Sequence, residues 1–240
     1  LKQSQRNSST RNAKHMEQSA ICNPQSAIAG VRAEHLTLTF TTPRSTTYAV
    51  RDVSLQIGPR EFAGIVGPSG SGKSSLLYLL SGLRTATSGK VFIDGFEYSG
   101  ADAKTQLDFR RRNFGFIFQQ PFLVPYLSVV ENVLVPIERA GKLDIARAME
   151  LLDSLGIADL APKFPNECSG GERVRIAMAR GLVHRPRFLF VDEPTASLDH
   201  ATGAQVMRVL KTQREHGALL VITHDLEILD DADVVFKMRD

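Results

Sequence analysis

Apolar residues along the chain fall into short runs and alternations that read as strands separated by helices. Leu36, Leu38 and Phe40 alternate with polar neighbours, as in a strand with one buried face, and Val50, Val53, Leu55 and Ile57 suggest a second strand. Phe62–Val66 reads as a buried strand that runs directly into a glycine-rich loop, and a helix follows over 73–81. Residues 91–93 read as another strand, ended by the Asp94-Gly95 turn. The stretch from about 101 to 161 reads mostly as helix, with Ala148, Leu151, Leu152, Leu155 and Ile157 on one apolar face. Strands return at Phe188–Asp192, 219–223 and Val234–Lys237, with helices between them. Strand–helix alternation around a buried sheet predicts an α/β fold. Residues 1–30, rich in Ser, Asn, Gln, Lys and Arg, carry no such pattern. They are expected to form a disordered tail, leaving 31–240 as one domain.

Composition narrows the function classes. With 240 residues, 42% of them hydrophobic, the chain can bury a full core. The net charge of +3 is mild and no long basic stripe is present. The Arg110, Arg111, Arg112 cluster reads as a solvated helix face, so no nucleic-acid partner is expected. Cys22 and Cys168 match no metal-ligand spacing, and a reducing, cytosolic setting is expected rather than a disulfide framework. No stretch reaches the ~18 apolar residues that cross a bilayer. The polar N-terminus lacks the apolar core of a signal peptide, so action on a membrane would have to pass through a partner.

The chemistry begins at Gly67-Pro68-Ser69-Gly70-Ser71-Gly72-Lys73-Ser74, which fits G-x-x-x-x-G-K-[ST]. Glycines let successive backbone N–H groups turn inward around phosphate oxygens, and the helix that follows directs its positive end at the same anion. Lys73 is expected to reach the β- and γ-phosphates, and Ser74 to hold magnesium. Ser75 is counted with the loop as nucleotide-binding. The apolar run Phe188-Leu189-Phe190-Val191 ends in Asp192-Glu193, which delivers two carboxylates to the ligand edge of a parallel sheet. Asp192 is placed to hold the metal, and Glu193 to act as general base on the attacking water.

With these residues the chain resembles the nucleotide-binding subunits of ABC transporters, over about 31–240. The resemblance implies a P-loop ATPase fold with a parallel-sheet core, an N-terminal antiparallel β-subdomain and a helical subdomain over about 101–183. Cys168-Ser169-Gly170-Gly171-Glu172 resembles the family's LSGGQ signature, with Cys for Leu and Glu for Gln. In the family, that helix N-terminus faces the γ-phosphate held by a second subunit, here through Ser169, Gly170 and Gly171. Gln119 resembles the glutamine that touches magnesium or the attacking water. Asp199 resembles the dimer-contact loop, and His224 the switch histidine at the γ-phosphate. Tyr48, 25 residues before Lys73, resembles the aromatic that stacks on adenine. The resemblance therefore implies ATP and Mg2+ as ligands and a head-to-tail dimer of ATPase subunits. Cys168 leaves two readings open: a thiol activated by the helix end beside it, or a small apolar replacement for Leu.

The segment 116–125, Val129-Val130-Glu131-Asn132-Val133 and Glu172 look like the lipoprotein-releasing and macrolide-export group. The chain ends 16 residues after His224, which disfavours importer ATPases with C-terminal extensions. This implies an integral membrane permease as partner and a peripheral place on the cytoplasmic face of the cell membrane. The alternatives are a cell-division-type ATPase that signals through a membrane partner, or a soluble ABC ATPase.

Overall fold

The computed structural model describes residues 29–43 and 45–239. The expected tail up to residue 28, and Cys22 with it, lies outside the described residues. Gly30 is already tied to the fold: it donates to the Asp94 carboxylate at 2.8 Å, and its carbonyl accepts from the Asp94 N–H at 2.8 Å.

Two sheets sandwich one helix. Strands β1 (Val31–Thr42), β2 (Ser45–Ile57), β4 (Ser88–Ile93) and β5 (Phe96–Glu97) form an antiparallel sheet in the order β2-β1-β4-β5. Strands β3 (Phe62–Val66), β6 (Phe114–Ile117), β7 (Phe188–Asp192), β8 (Ala218–Ile222) and β9 (Val234–Lys237) form a parallel sheet in the order β6-β7-β8-β3-β9. Every residue of β3, β7 and β8 is buried, as expected of strands covered on both faces. Side chains alternate between the faces. Ile65, Phe190, Leu220 and Ile222 point toward the antiparallel sheet and α1 (Lys73–Leu80), where they pack with Leu36, Leu76 and Leu80. Phe62, Leu189, Val191, Leu219 and Val221 point the other way, into a core with α4 (Lys142–Ser154), α5 (Gly170–Leu182) and α6 (His200–Lys211). Each large side chain buried this way contributes about 1.5–3 kcal/mol.

The stretch that reads mostly as helix is less regular than the sequence suggests. It holds α2 (Ala103–Asn113), α3 (Val129–Leu134) and α4, but also β6 and a non-helical segment over 118–128. Four residues are too few to show a period. What makes Phe114–Ile117 a strand is its pairing with β7 and the close approach of α5, where a Cβ on Gly115 would lie 2.3 Å from the Gly181 carbonyl. The arginine cluster at the end of α2 is also only partly solvated. Arg110 turns inward to the Gly82 carbonyl at 2.9 Å and the Tyr98 hydroxyl at 3.1 Å, while Arg111 pairs with Glu138 at 3.3 Å.

Candidate functional site

A parallel sheet brings the carboxyl ends of its strands to one edge, and four strands here deliver polar groups to it. β3 leads into the loop 67–72, β7 ends at Asp192 and Glu193, β8 leads to Thr223 and His224, and β6 leads to Gln119. Ser69, Gly70, Gly72, Lys73, Ser74, Ser75, Gln119, Asp192 and Glu193 line a single cavity of about 320 Å³.

The loop turns through left-handed backbone at two glycines. Gly70 and Gly72 have φ of +87° and +86°, and a Cβ on Gly72 would sit 1.8 Å from the Ala49 carbonyl of β2. Gly72 is also the residue that caps α1, so the close approach fixes the helix N-terminus against the strand that carries Tyr48. Lys73 Nζ donates back to the Gly67 and Pro68 carbonyls at 2.9 and 2.8 Å, which holds the ammonium over the loop. Ser71 lies under the loop rather than in the cavity; its hydroxyl is buried and has no hydrogen-bond partner among the described residues.

The two carboxylates behave differently. Asp192 is buried, and burial pushes its carboxyl up from the usual range, against the pull of a Ser74 hydrogen bond and Lys73. Glu193 sits at φ +50°, a left-handed conformation that costs a non-glycine residue roughly 1–2 kcal/mol. Two bonds hold it there: its N–H donates to the Ile222 carbonyl at 2.9 Å, and its Oε2 lies 2.9 Å from His224 Nδ1. A carboxylate oxygen accepts, so Nδ1 is the protonated ring nitrogen. Ser74, Asp192 and Gln119 give one hydroxyl, one carboxylate and one amide oxygen around the same space. That donor set suits Mg2+, which takes one or two carboxylates and completes its shell with phosphate oxygens and water. No cluster of three or more His, Cys, Asp or Glu side chains with metal-binding spacing occurs among the described residues, and such a site needs none.

The remaining sequence candidates do not line this cavity. Ser169 and Gly170 are exposed and Gly171 half-buried at the start of α5. Ser169 caps that helix, exchanging bonds with Glu172, whose carboxyl is held below the usual range chiefly by the Ser169 N–H. Asp199 caps α6 through Thr202, whose hydroxyl and N–H hold the Asp199 carboxyl below its ordinary value. Tyr48 is exposed on β2 with the Arg51 guanidinium 5.0 Å from its ring centre. Cys168 is not an activated thiol. It is 4% exposed, its Sγ meets the Phe164 carbonyl at 3.5 Å, and burial, reinforced by Glu172, pushes its pKa up. The structure therefore favours the small apolar replacement. Sequence reasoning missed Arg180, which reaches from α5 to the Pro121 and Phe122 carbonyls just beyond Gln119.

Comparison with known proteins agrees with this geometry. The family model described as "ABC transporter" matches residues 50–196. A lipoprotein-releasing system ATP-binding protein of Rhodopirellula baltica is 42% identical over 196 residues, covering 80% of this chain and 86% of that one. The macrolide export ATP-binding/permease protein of Shigella flexneri is 40% identical over 195 residues, 80% of this chain but 30% of that longer protein. Among solved structures, a dimeric post-hydrolysis ATP-binding cassette bound to ADP and Pi superposes with a TM-score of 0.83 at 33% identity, covering 87% of this chain and 94% of that one. A cavity lined by a phosphate loop and an acidic pair, in a chain so related, identifies this protein as a member of the ABC transporter family, an ATP-binding and ATP-hydrolysing cassette.

Proposed function

We propose that the chain works as the motor of a separate membrane permease of the export or lipoprotein-release type, through ATP-driven pairing of two cassettes at the cytoplasmic face of the cell membrane. One observation carries the pairing: the phosphate loop, Gln119 and the acidic pair share a cavity, whereas the exposed Ser169 and Gly170 and the half-buried Gly171 lie outside it. A helix N-terminus opened by Ser-Gly-Gly in this way suits a second molecule's phosphate. Two copies related by a two-fold axis complete two such sites at once.

Within each site the backbone N–H groups of 69–73 and the Lys73 ammonium take the β- and γ-phosphates. Tyr48 offers its exposed ring to the base. Ser74, Asp192 and Gln119 would hold Mg2+, which when bound neutralises charge on the β- and γ-phosphates. The Glu193 carboxylate orients a water and takes its proton as the water oxygen bonds to the γ-phosphorus and the bond to the β–γ bridging oxygen breaks. Inorganic phosphate and ADP leave. His224 keeps Glu193 in its strained conformation and contacts the γ-phosphate. Ser169 and Gly171 of the second copy donate to the γ-phosphate, and Asp199 lies at the seam. Nucleotide thus stabilises the closed pair, and hydrolysis releases it.

No helix among the described residues is long and apolar enough to cross a membrane. The relatives named for lipoprotein release and macrolide export support the kind of partner. The test is to trap tagged Glu193→Gln protein with MgATP and recover it from detergent-solubilised membranes. A multi-span protein with a large extracytoplasmic region is the expected companion. An intact ATP-bound pair with no membrane protein attached points instead to a soluble ABC ATPase.

A further inference from the structure

We infer that Arg180 is a positioning residue for Gln119, a clamp that fixes the far end of the loop from which Gln119 enters the cavity. The inference rests on the reading of Gln119 as a group that reaches the metal or the attacking water.

The near end of the loop is fixed by the sheet. β6 pairs with β7 in register, Phe114 opposite Phe188 and Ile117 opposite Val191, so Gln119 begins two residues beyond a paired strand. α5 presses on that strand at glycine. A Cβ on Gly181 would lie 2.9 Å from the Ile117 side chain and 3.0 Å from the Phe116 carbonyl. At its C-terminal end His184 Nε2 meets the Phe114 carbonyl at 3.0 Å. Phe118, the residue before Gln119, stacks on Phe116 at 5.6 Å and meets Tyr78 of α1 edge-on at 6.3 Å. α5 and β6 therefore pack as one unit, and Gln119 leaves it at a defined point.

Beyond Gln119 the loop has no sheet partner, and Arg180 takes that part. Its guanidinium donates to the Phe122 carbonyl at 2.8 Å and to the Pro121 carbonyl. Phe122 sits at φ +44°, a strained conformation that persists only where neighbouring groups impose it. Phe122 is 65% exposed and its ring meets Phe118 edge-on at 5.8 Å, so no enclosing pocket imposes the conformation and the carbonyl contacts with Arg180 are left to hold it. Arg180 is half-buried, and no carboxylate pairs with it among the described residues. Burial lowers its pKa, the mark of a charge held without a counter-ion. A side chain serving only to fill this space could be Met at no electrostatic cost. The fork of donors is what two adjacent carbonyls require.

The test uses the purified full-length chain as Gln119→Ala, Arg180→Met, Arg180→Lys and the Gln119→Ala/Arg180→Met double variant. Steady-state ATPase activity is measured against both MgATP and free Mg2+. Arg180→Met is expected to lower kcat roughly tenfold and to leave KM for MgATP within about twofold, since a misplaced group near the reacting atoms costs rate rather than ground-state binding. It should also raise the Mg2+ concentration needed for half-maximal rate, as Gln119→Ala should. The double variant should be no slower than the slower single one, because both act through one group. Arg180→Lys, which keeps a charged donor nitrogen but not the fork, should recover part of the rate. If Gln119→Ala is impaired while Arg180→Met matches wild type, or if the two losses multiply, the clamp is overturned and the Gln119 reading survives. If Gln119→Ala itself matches wild type, the Gln119 reading fails and the clamp with it. Should Arg180→Met not fold, amide exchange of Arg180→Lys decides: faster exchange confined to 119–124 supports the clamp, and unchanged exchange there overturns it.

Discussion

Gly70 and Gly72 offer a controlled comparison inside one loop. Both adopt left-handed φ, +87° and +86°, but a Cβ at Gly70 would meet nothing within 4 Å, whereas one at Gly72 would lie 1.8 Å from the Ala49 carbonyl. Gly70→Ala should therefore cost only the backbone term, about 1 kcal/mol. Gly72→Ala carries the same term plus displacement of β2 or of the loop by on the order of 1 Å, which overpacking data place at about 1–3 kcal/mol. The sum is about 2–4 kcal/mol, against a total stability of about 5–15 kcal/mol, so the variant should fold but melt earlier. For a domain of this size that is roughly 4–16 °C in Tm, against about 2–4 °C for Gly70→Ala. The affected carbonyl follows Tyr48 directly, so a shift there moves base stacking and phosphate contacts together. ADP affinity should fall more for Gly72→Ala than for Gly70→Ala. Thermal unfolding and ADP titration of both variants read the two effects. Equal losses at the two positions would refute the close-approach argument.

Asp192 and Cys168 give two further tests. Burial raises the Asp192 carboxyl, so between the unfolded and folded pKa values the native state binds more protons and stability falls as pH rises; at neutral pH the buried charge is a cost. Asp192→Asn should raise the melting temperature of metal-free protein while abolishing ATPase activity and the extra stability that MgADP gives wild type; a lower Tm in the metal-free variant would contradict this. The buried Cys168 thiol should react with a maleimide far more slowly in native than in urea-unfolded protein, followed by peptide mapping to separate it from Cys22, and the reagent should leave ATPase activity unchanged during that delay; rapid native labelling with loss of activity would restore the activated thiol.

The fold and site were legible in the sequence to the extent that their signals are local. The phosphate loop is eight consecutive residues whose glycines, lysine and final serine answer to backbone or charge requirements, and Asp192-Glu193 closes an uninterrupted apolar run that reads as a buried strand. β6 escaped because four residues carry no period and its partner lies 74 positions away, Phe114 against Phe188. Arg180 escaped for a related reason. It bonds backbone carbonyls 58 and 59 positions away, and a carbonyl is present whatever residue bears it, so no motif marks the contact. Cys168 shows the limit of reasoning from a helix end alone. The helix N-terminus favours a thiolate, but the packing of Leu151, Leu155 and Leu160 in the same core excludes water, and desolvation dominates.

The central claim is that one copy's cavity is completed by the Ser169–Gly171 end of another. It is tested most directly by sedimentation of Glu193→Gln protein with and without MgATP, alongside the same protein carrying Gly170→Asp. A Cβ at Gly170 meets nothing within 4 Å, and an acidic residue at a helix's first position suits the helix dipole, so this change should leave the fold intact while repelling phosphate. Glu193→Gln should be a monomer alone and a dimer with MgATP, and the Gly170→Asp version should bind ATP yet remain a monomer. A Glu193→Gln protein that binds ATP and stays monomeric, or a Gly170→Asp version that dimerises equally well, would contradict the composite site.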